Sequence, residues 1–140
     1  MPTSGGERVR RLVLDTSAYA RFRAGDEAVI SLLAAAEVVL VPVTVLGELE
    51  AGFELGGRGR ENRTTLATFL DEPFVSVLPT TPDVAHRYGQ TFARLRGAGT
   101  PIPTNDIWIA AAAIDAGGRL VTFDGHFRKV PGLDCLVLAS

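Results

Sequence analysis

One cysteine, two histidines and one lysine are the scarcities of this 140-residue chain. A lone cysteine, Cys135, excludes an internal disulfide and fits a reducing compartment. With so few thiols and imidazoles a Cys/His zinc site is out of reach, so any metal must be held by oxygen. No apolar run approaches the roughly 20 residues that cross a bilayer. The opening "MPTSGGERVRR" lacks the apolar centre of a secretory signal. The expectation is therefore a cytoplasmic protein without membrane association. Of the 14 basic residues only Lys129 is a lysine, and the net charge is −2, so the chain is not a globally basic nucleic-acid binder and any such binding must use a local patch. The arginine skew suits phosphate recognition, but a GC-rich genome would produce it equally well.

What the chain does have is apolar material, 46% of its residues, enough for one domain with one core. "RRLVLDTSAY" (10–19) shows how it is used. Leu12, Val13 and Leu14 form a continuous aliphatic run, the signature of a strand buried on both faces. Asp15 follows at once, then Thr16 and Ser17, both good helix N-caps, and helix-compatible residues beyond. A carboxylate is thereby placed at the carboxyl end of a strand, where open α/β sheets bind ligands. Simple capping of the helix explains the same residue, so the decision rests on the remainder of the chain.

That remainder alternates. "DEAVISLLAAAE" (26–37) reads as a helix, "VVLVPV" (38–43) as a second buried strand, and "TVLGELEAGFELGG" (44–57) and "ENRTTLATFLDE" (61–72) as helices. "FVSVLP" is a third strand. "TPDVAHRYGQTFARLRGAG" (81–99) is a long helix opened by Thr81-Pro82-Asp83 and stopped by glycines, and "TNDIWIAAAAIDAGG" another. "RLVTFD" and "DCLVLA" supply a fourth and a fifth strand. Strands separated by helices imply a single α/β domain: a central parallel sheet of four to five strands with helices on both faces. The domain is expected over residues 9–140, with a disordered extension at 1–8.

Four of the sixteen acids stand apart from solvent-facing patterns: Asp15, Glu48, Asp106 and Asp124. Glu48 lines up with Val45, Gly52 and Leu55 on the helical wheel and so borders an apolar stripe. Asp106 follows Thr104, a candidate N-cap, and lines up with Ile109, Ala110 and Ala113, a small-residue face aimed at the core. Asp124 appears where the fourth strand ends. Each has an ordinary explanation alone: a cap, a snorkelling edge residue, a first-turn acid, a turn aspartate. Together they occupy strand ends and helix starts that a parallel sheet brings to one edge. Carboxylates crowded to about 4 Å repel by roughly 4 kcal/mol per pair at an effective dielectric near 20. A divalent cation removes that cost, and an all-oxygen set favours Mg²⁺ or Mn²⁺, an ion that activates water and stabilises charge on a phosphodiester.

"LVLDTSAY", "PVTVLGELEAG", "PIPTNDIWIAAAAI" and "LVTFDGHFRKVPGL" resemble, in order and spacing, the motifs of PIN-domain ribonucleases, and most closely the VapC-type toxins of bacterial toxin–antitoxin modules. The resemblance runs from about Leu12 to Leu138. It implies a metal-dependent endoribonuclease in which Asp15, Glu48, Asp106 and Asp124 are the catalytic and metal-holding acids, and in which the hydroxyl of Thr16 or Ser17 helps hold the metal's water shell. It also implies an RNA substrate, a homodimer, and a small antitoxin whose tail masks the site. The rival reading is a catalytically silent PIN-like module that binds RNA or protein. Haloacid-dehalogenase-type phosphatases resemble the chain less, because Ser17 stands where a second acid is needed. A receiver domain fails for want of an acid after "FVSVLP".

Other residues read more plainly. Trp108 belongs to the core or a dimer contact rather than to an RNA-stacking platform. His126 reads as a solvated turn residue, and Cys135 as a small buried apolar one. "LGGRGREN" with Arg63 reads as a flexible basic projection, explained equally well as a solvated loop or as a patch whose Arg58, Arg60 and Arg63 hold RNA phosphates, with Arg94, Arg96 and Arg128 as the next candidates.

Overall fold

The computed structural model describes residues 11–139, so the extension expected at 1–8 lies outside the described residues. In chain order the elements are β1 (Arg11–Leu14), α1 (Thr16–Arg23), α2 (Glu27–Ala35), β2 (Val38–Pro42), α3 (Val43–Leu55), α4 (Gly59–Leu70), β3 (Val75–Leu78), α5 (Pro82–Gly97), α6 (Thr104–Ala116), β4 (Arg119–Thr122) and β5 (Cys135–Val137). A short 3-10 turn, Gly125–Lys129, joins the last two strands.

The strands form one sheet in the order β3-β2-β1-β4-β5, and every pairing is parallel. Inner strands read as unbroken aliphatic runs because helices cover both faces: Val13, Leu14, Val39, Val41, Leu120 and Val121 are all fully buried. Truncating one of them to Ala would cost about 2–5 kcal/mol for the larger side chains. The edge strand β3 behaves differently, with Val75 buried but Ser76 and Val77 exposed. Helix α6 is buried along Ile107, Ile109 and Ala110–Ala113, whose small side chains allow close packing of its neighbours. It ends on Gly117 in the left-handed conformation (φ 65°), which a side chain would strain.

The chain leaves β1 for β2 and β3 on one side and returns to β4 and β5 on the other, so the order reverses between β1 and β4. Ligand crevices in open parallel sheets form at such a reversal, outside the carboxyl ends of the strands. Because α6 leads into β4, it runs against the strand direction and its N-terminus reaches that same edge.

Local expectations mostly hold to within a residue or two. Thr81 caps α5 by accepting from the Val84 amide at 3.2 Å. Three details differ. Asp15 itself, not Thr16 or Ser17, is the N-cap of α1. Pro103, not Thr104, stands at the N-cap of α6 and makes no side-chain cap bond. The apolar stripe of α3 stops short, for Leu55 at its end is 90% exposed.

Candidate active site

Asp15 is delivered by β1, whose register sets Leu14 against Val121 and brings the acid beside Thr122. It is 96% buried, at 4% relative exposure, and its carboxylate is densely served. Oδ1 accepts from the Ser17 hydroxyl at 2.7 Å and from the Ala18 amide at 2.8 Å, while Oδ2 accepts from the Thr122 hydroxyl at 2.5 Å. Asp15 thus caps α1 and also lines the cleft described below. Burial pushes its carboxyl above the ordinary range, against the three hydrogen bonds that favour the anion, and the negative charge of Asp124 adds to the rise.

Glu48 stands in the second turn of α3, which begins directly on β2. The Thr16 hydroxyl donates to Oε1, and the Asn105 amide donates to Oε2 at 3.3 Å. Asp106, in the first turn of α6, has Oδ2 2.6 Å from Nε2 of His126. Its carboxyl is also raised, first by burial and then by the charges of Glu48 and Asp124, with the His126 contact acting the other way. Asp124 follows β4, half exposed, with Oδ1 3.1 Å from Nδ1 of the same imidazole. His126 therefore bridges two of the acids, and the solvated role read for it from sequence is corrected. The signal available in the sequence was the two-residue step from Asp124 within "FDGHF", which a tight turn folds back over the strand end.

All four acids line one open cleft of about 590 Å³, together with Thr16, Ser17, Asn105 and His126. Within it, one ligand atom each from Asp106, Asp124 and His126 lie within 4.8 Å of one another, the group among the described residues whose spacing suits a metal ion. Asp15 and Glu48 line the same cleft outside that tightest group. The donor set fits a divalent cation. It is carboxylate oxygen with a single imidazole, and two of its acids are already strained toward protonation by burial and mutual repulsion. Thr16 and Ser17 are not idle hydroxyls, since both donate to acids of the site.

The arginines are placed less simply. Arg60 and Arg63 lie on the first turns of α4 rather than in a projecting loop. Arg63 pairs with Glu50 at 2.7 Å and with Glu54, and Arg58 pairs with Glu61 at 2.9 Å, so much of the positive charge is offset on the spot. Trp108 is half-buried and stacked on Tyr88 with ring centroids 4.0 Å apart, beside Val84 and the alanines of α6, as a packing residue should be. Cys135 sits within β5, partly rather than fully buried. No helix among the described residues is long and apolar enough to cross a membrane.

Several known proteins share this fold. The PIN-domain family model matches residues 12–133. Ribonuclease VapC5 of Mycobacterium tuberculosis is 30% identical over 123 residues, covering 86% of this chain and 87% of the relative. Among solved structures, VapBC2 of Rickettsia felis bound to a promoter DNA fragment superposes with a TM-score of 0.80 at 26% identity, over 91% of this chain and 98% of that one. VapBC-5 of Mycobacterium tuberculosis superposes with a TM-score of 0.68 at 28% identity, over 94% and 99%.

Proposed function

The chain belongs to the PIN-domain family, and on that premise we propose that it is a divalent-metal-dependent endoribonuclease, the toxin of a toxin–antitoxin pair. One observation carries the reading. Four acids from four separate segments meet in a single cleft at the edge where the sheet order reverses. A structural role needs no such convergence, and packing like charges together without a cation is unfavourable.

In this reading Asp15, Glu48, Asp106 and Asp124 hold Mg²⁺, with Mn²⁺ able to substitute. The ion, when bound, activates water and offsets charge on the phosphodiester. The chain's own residues do the positioning. Asp15 is held by Ser17, Ala18 and Thr122, Glu48 by Thr16 and Asn105, and the Asp106–Asp124 pair by His126. The open cleft admits a single strand from the side. For the arginine patch, Arg60 is the proposed phosphate contact with no acid paired to it among the described residues. Arg58 and Arg63 reach RNA by exchanging exposed ion pairs that water already screens. Relatives whose structures are toxin–antitoxin complexes support a protein antitoxin that covers the cleft. A homodimer acting in the cytoplasm completes the proposal.

The test is cleavage of a single-stranded RNA by the purified chain with Mg²⁺ or Mn²⁺, with excess EDTA, and by Asp15→Asn. Metal-dependent cleavage lost in the variant supports the reading. Cleavage that survives EDTA overturns the metal mechanism, and metal binding without any cleavage favours the silent binding module.

A further inference from the structure

Thr122 has no exposed surface and ends β4 two residues before Asp124. Its hydroxyl makes two bonds of opposite sense. It accepts from the backbone amide of Asp124 at 3.0 Å and donates to Asp15 Oδ2 at 2.5 Å. Ser17 repeats the device one residue earlier along the same loop, accepting from the Phe123 amide at 3.1 Å and donating to Asp15 Oδ1 at 2.7 Å. The two hydroxyl oxygens lie 3.5 Å apart.

The pattern constrains the protons. A hydroxyl carries one hydrogen, and where it accepts an amide N–H its own hydrogen is left to point at the next acceptor. Here that acceptor is the buried carboxylate. Two consecutive amides, 123 and 124, thus orient two hydroxyls, and each hydroxyl grips a different oxygen of Asp15. The same amides fix the backbone from which Asp124 projects. One buried threonine therefore ties the position of the first acid to the position of the last, across the boundary between β1 and β4.

We propose that Thr122 is a positioning residue of the metal site, setting the spacing between Asp15 and Asp124 that a cation requires. The inference rests on the proposed metal-dependent reading. It also goes past it, since neither the acids nor the hydroxyls beside the first acid include this residue. Partners of metal-holding groups of this kind are typically worth about 10–100-fold in metal affinity. Thr122→Val keeps the shape and removes both bonds, while Thr122→Ser keeps both.

The experiment titrates Mn²⁺ alone into the metal-free full chain, reading bound ion by electron spin resonance and by calorimetry, well below the melting temperature of each variant. Wild type and Thr122→Ser should bind alike, and Thr122→Val should bind at least tenfold more weakly while remaining folded by circular dichroism. In turnover, Thr122→Val should lower kcat with little change in KM for RNA, and added Mn²⁺ should recover part of the loss. A purely structural threonine would lower melting temperature and leave Mn²⁺ affinity untouched. That result, equal Mn²⁺ affinity in wild type and Thr122→Val, overturns the inference and spares the metal reading. Wild type that binds no Mn²⁺ overturns both. Should Thr122→Val not fold, Thr122→Cys against Thr122→Ser carries the comparison, because a thiol is a poor donor. The inference then requires the Cys chain to bind Mn²⁺ at least tenfold more weakly than the Ser chain.

Discussion

Raising the pH of the metal-free protein should weaken it, and the acids of the cleft set the sign. Asp15 and Asp106 both have carboxyls raised above the ordinary 3.8, each chiefly by burial. The folded chain therefore keeps protons that the unfolded chain has released. Their stabilising contribution is complete below about 3.8 and is lost as pH climbs through the folded value. While it titrates, one such group removes at most about 1.4 kcal/mol per pH unit, and two together about 2.7. The spacing makes losses of this order reasonable. Oxygens of Asp106 and Asp124 lie within 4.8 Å, which is about 3.5 kcal/mol of repulsion at an effective dielectric of 20, and less with half of Asp124 in solvent. The assay is urea unfolding followed by circular dichroism from pH 4.5 to 8 in EDTA, for wild type, Asp15→Asn and Asp106→Asn. Other carboxylates contribute equally to all three chains, so the difference between wild type and variant isolates the group. An amide facing the donors of Ser17 and Thr122 adds an offset that pH does not change, so the slope carries the test. Stability of wild type relative to each variant should fall as pH rises, and Mn²⁺ at a hundred times its Kd should restore about 2.7 kcal/mol to wild type. A relative stability that is flat, or that grows with pH, would mean these acids stabilise the fold as anions and would refute the reasoning.

Single replacements Glu48→Gln, Asp106→Asn and Asp124→Asn should each lower kcat by about a hundredfold or more, and double variants should be little worse than singles if the acids act as one unit. Additive losses would separate their roles. Arg60→Ala should reduce the salt dependence of RNA binding by about one phosphate contact and leave Mn²⁺ affinity unchanged. Replacing Arg58, Arg60 and Arg63 together should reduce it by up to about three, and an unaltered salt slope would move the RNA path toward Arg94, Arg96 and Arg128. Trp108→Ala should cost about 2 kcal/mol or more of stability while leaving KM for RNA intact, and a raised KM instead would make the tryptophan a base-stacking platform.

The sheet was legible because its central strands are covered on both faces and so are written as unbroken aliphatic runs, Leu12–Leu14 and Leu120–Val121 among them. The acids were legible because each sits where such a run stops or a helix starts. What escaped was everything that depends on side chains meeting across the sheet. Thr122 sits inside "RLVTFD" and looks like any β-branched strand residue, since only the parallel register beside β1 brings it to Asp15. His126 was misread for the same reason. One of its two acids, Asp106, lies 20 residues away along the chain, and no local periodicity reports that distance. Asn105 was invisible as a partner of Glu48, being 57 residues away along the chain. The arginines were misjudged locally, because the glutamates of α3 that offset Arg63 share its surface only once α3 and α4 fold against each other.

The balance of charge at the sheet edge explains why hydrogen bonds alone do not complete this site. Three helices, α1, α3 and α6, start there, and two of them begin on prolines, Pro42 and Pro103, that make no side-chain cap bond. Their positive dipole ends favour nearby anions by about 0.3–1 kcal/mol each, so together they supply at most about 3 kcal/mol. That roughly offsets one pair of carboxylates at the separation found between Asp106 and Asp124, and the cleft holds four. His126 sits against two of them, Asp106 and Asp124, but reaches neither Asp15 nor Glu48 by any hydrogen bond. Burial is the main reason the carboxyls of Asp15 and Asp106 are raised, and the remaining repulsion from neighbouring acids adds to it. A cation among the four acids would relieve that repulsion by more than the helix ends do, so metal affinity, and the stability that bound metal adds to the metal-free chain, should rise together across the pH range in which these two acids ionise.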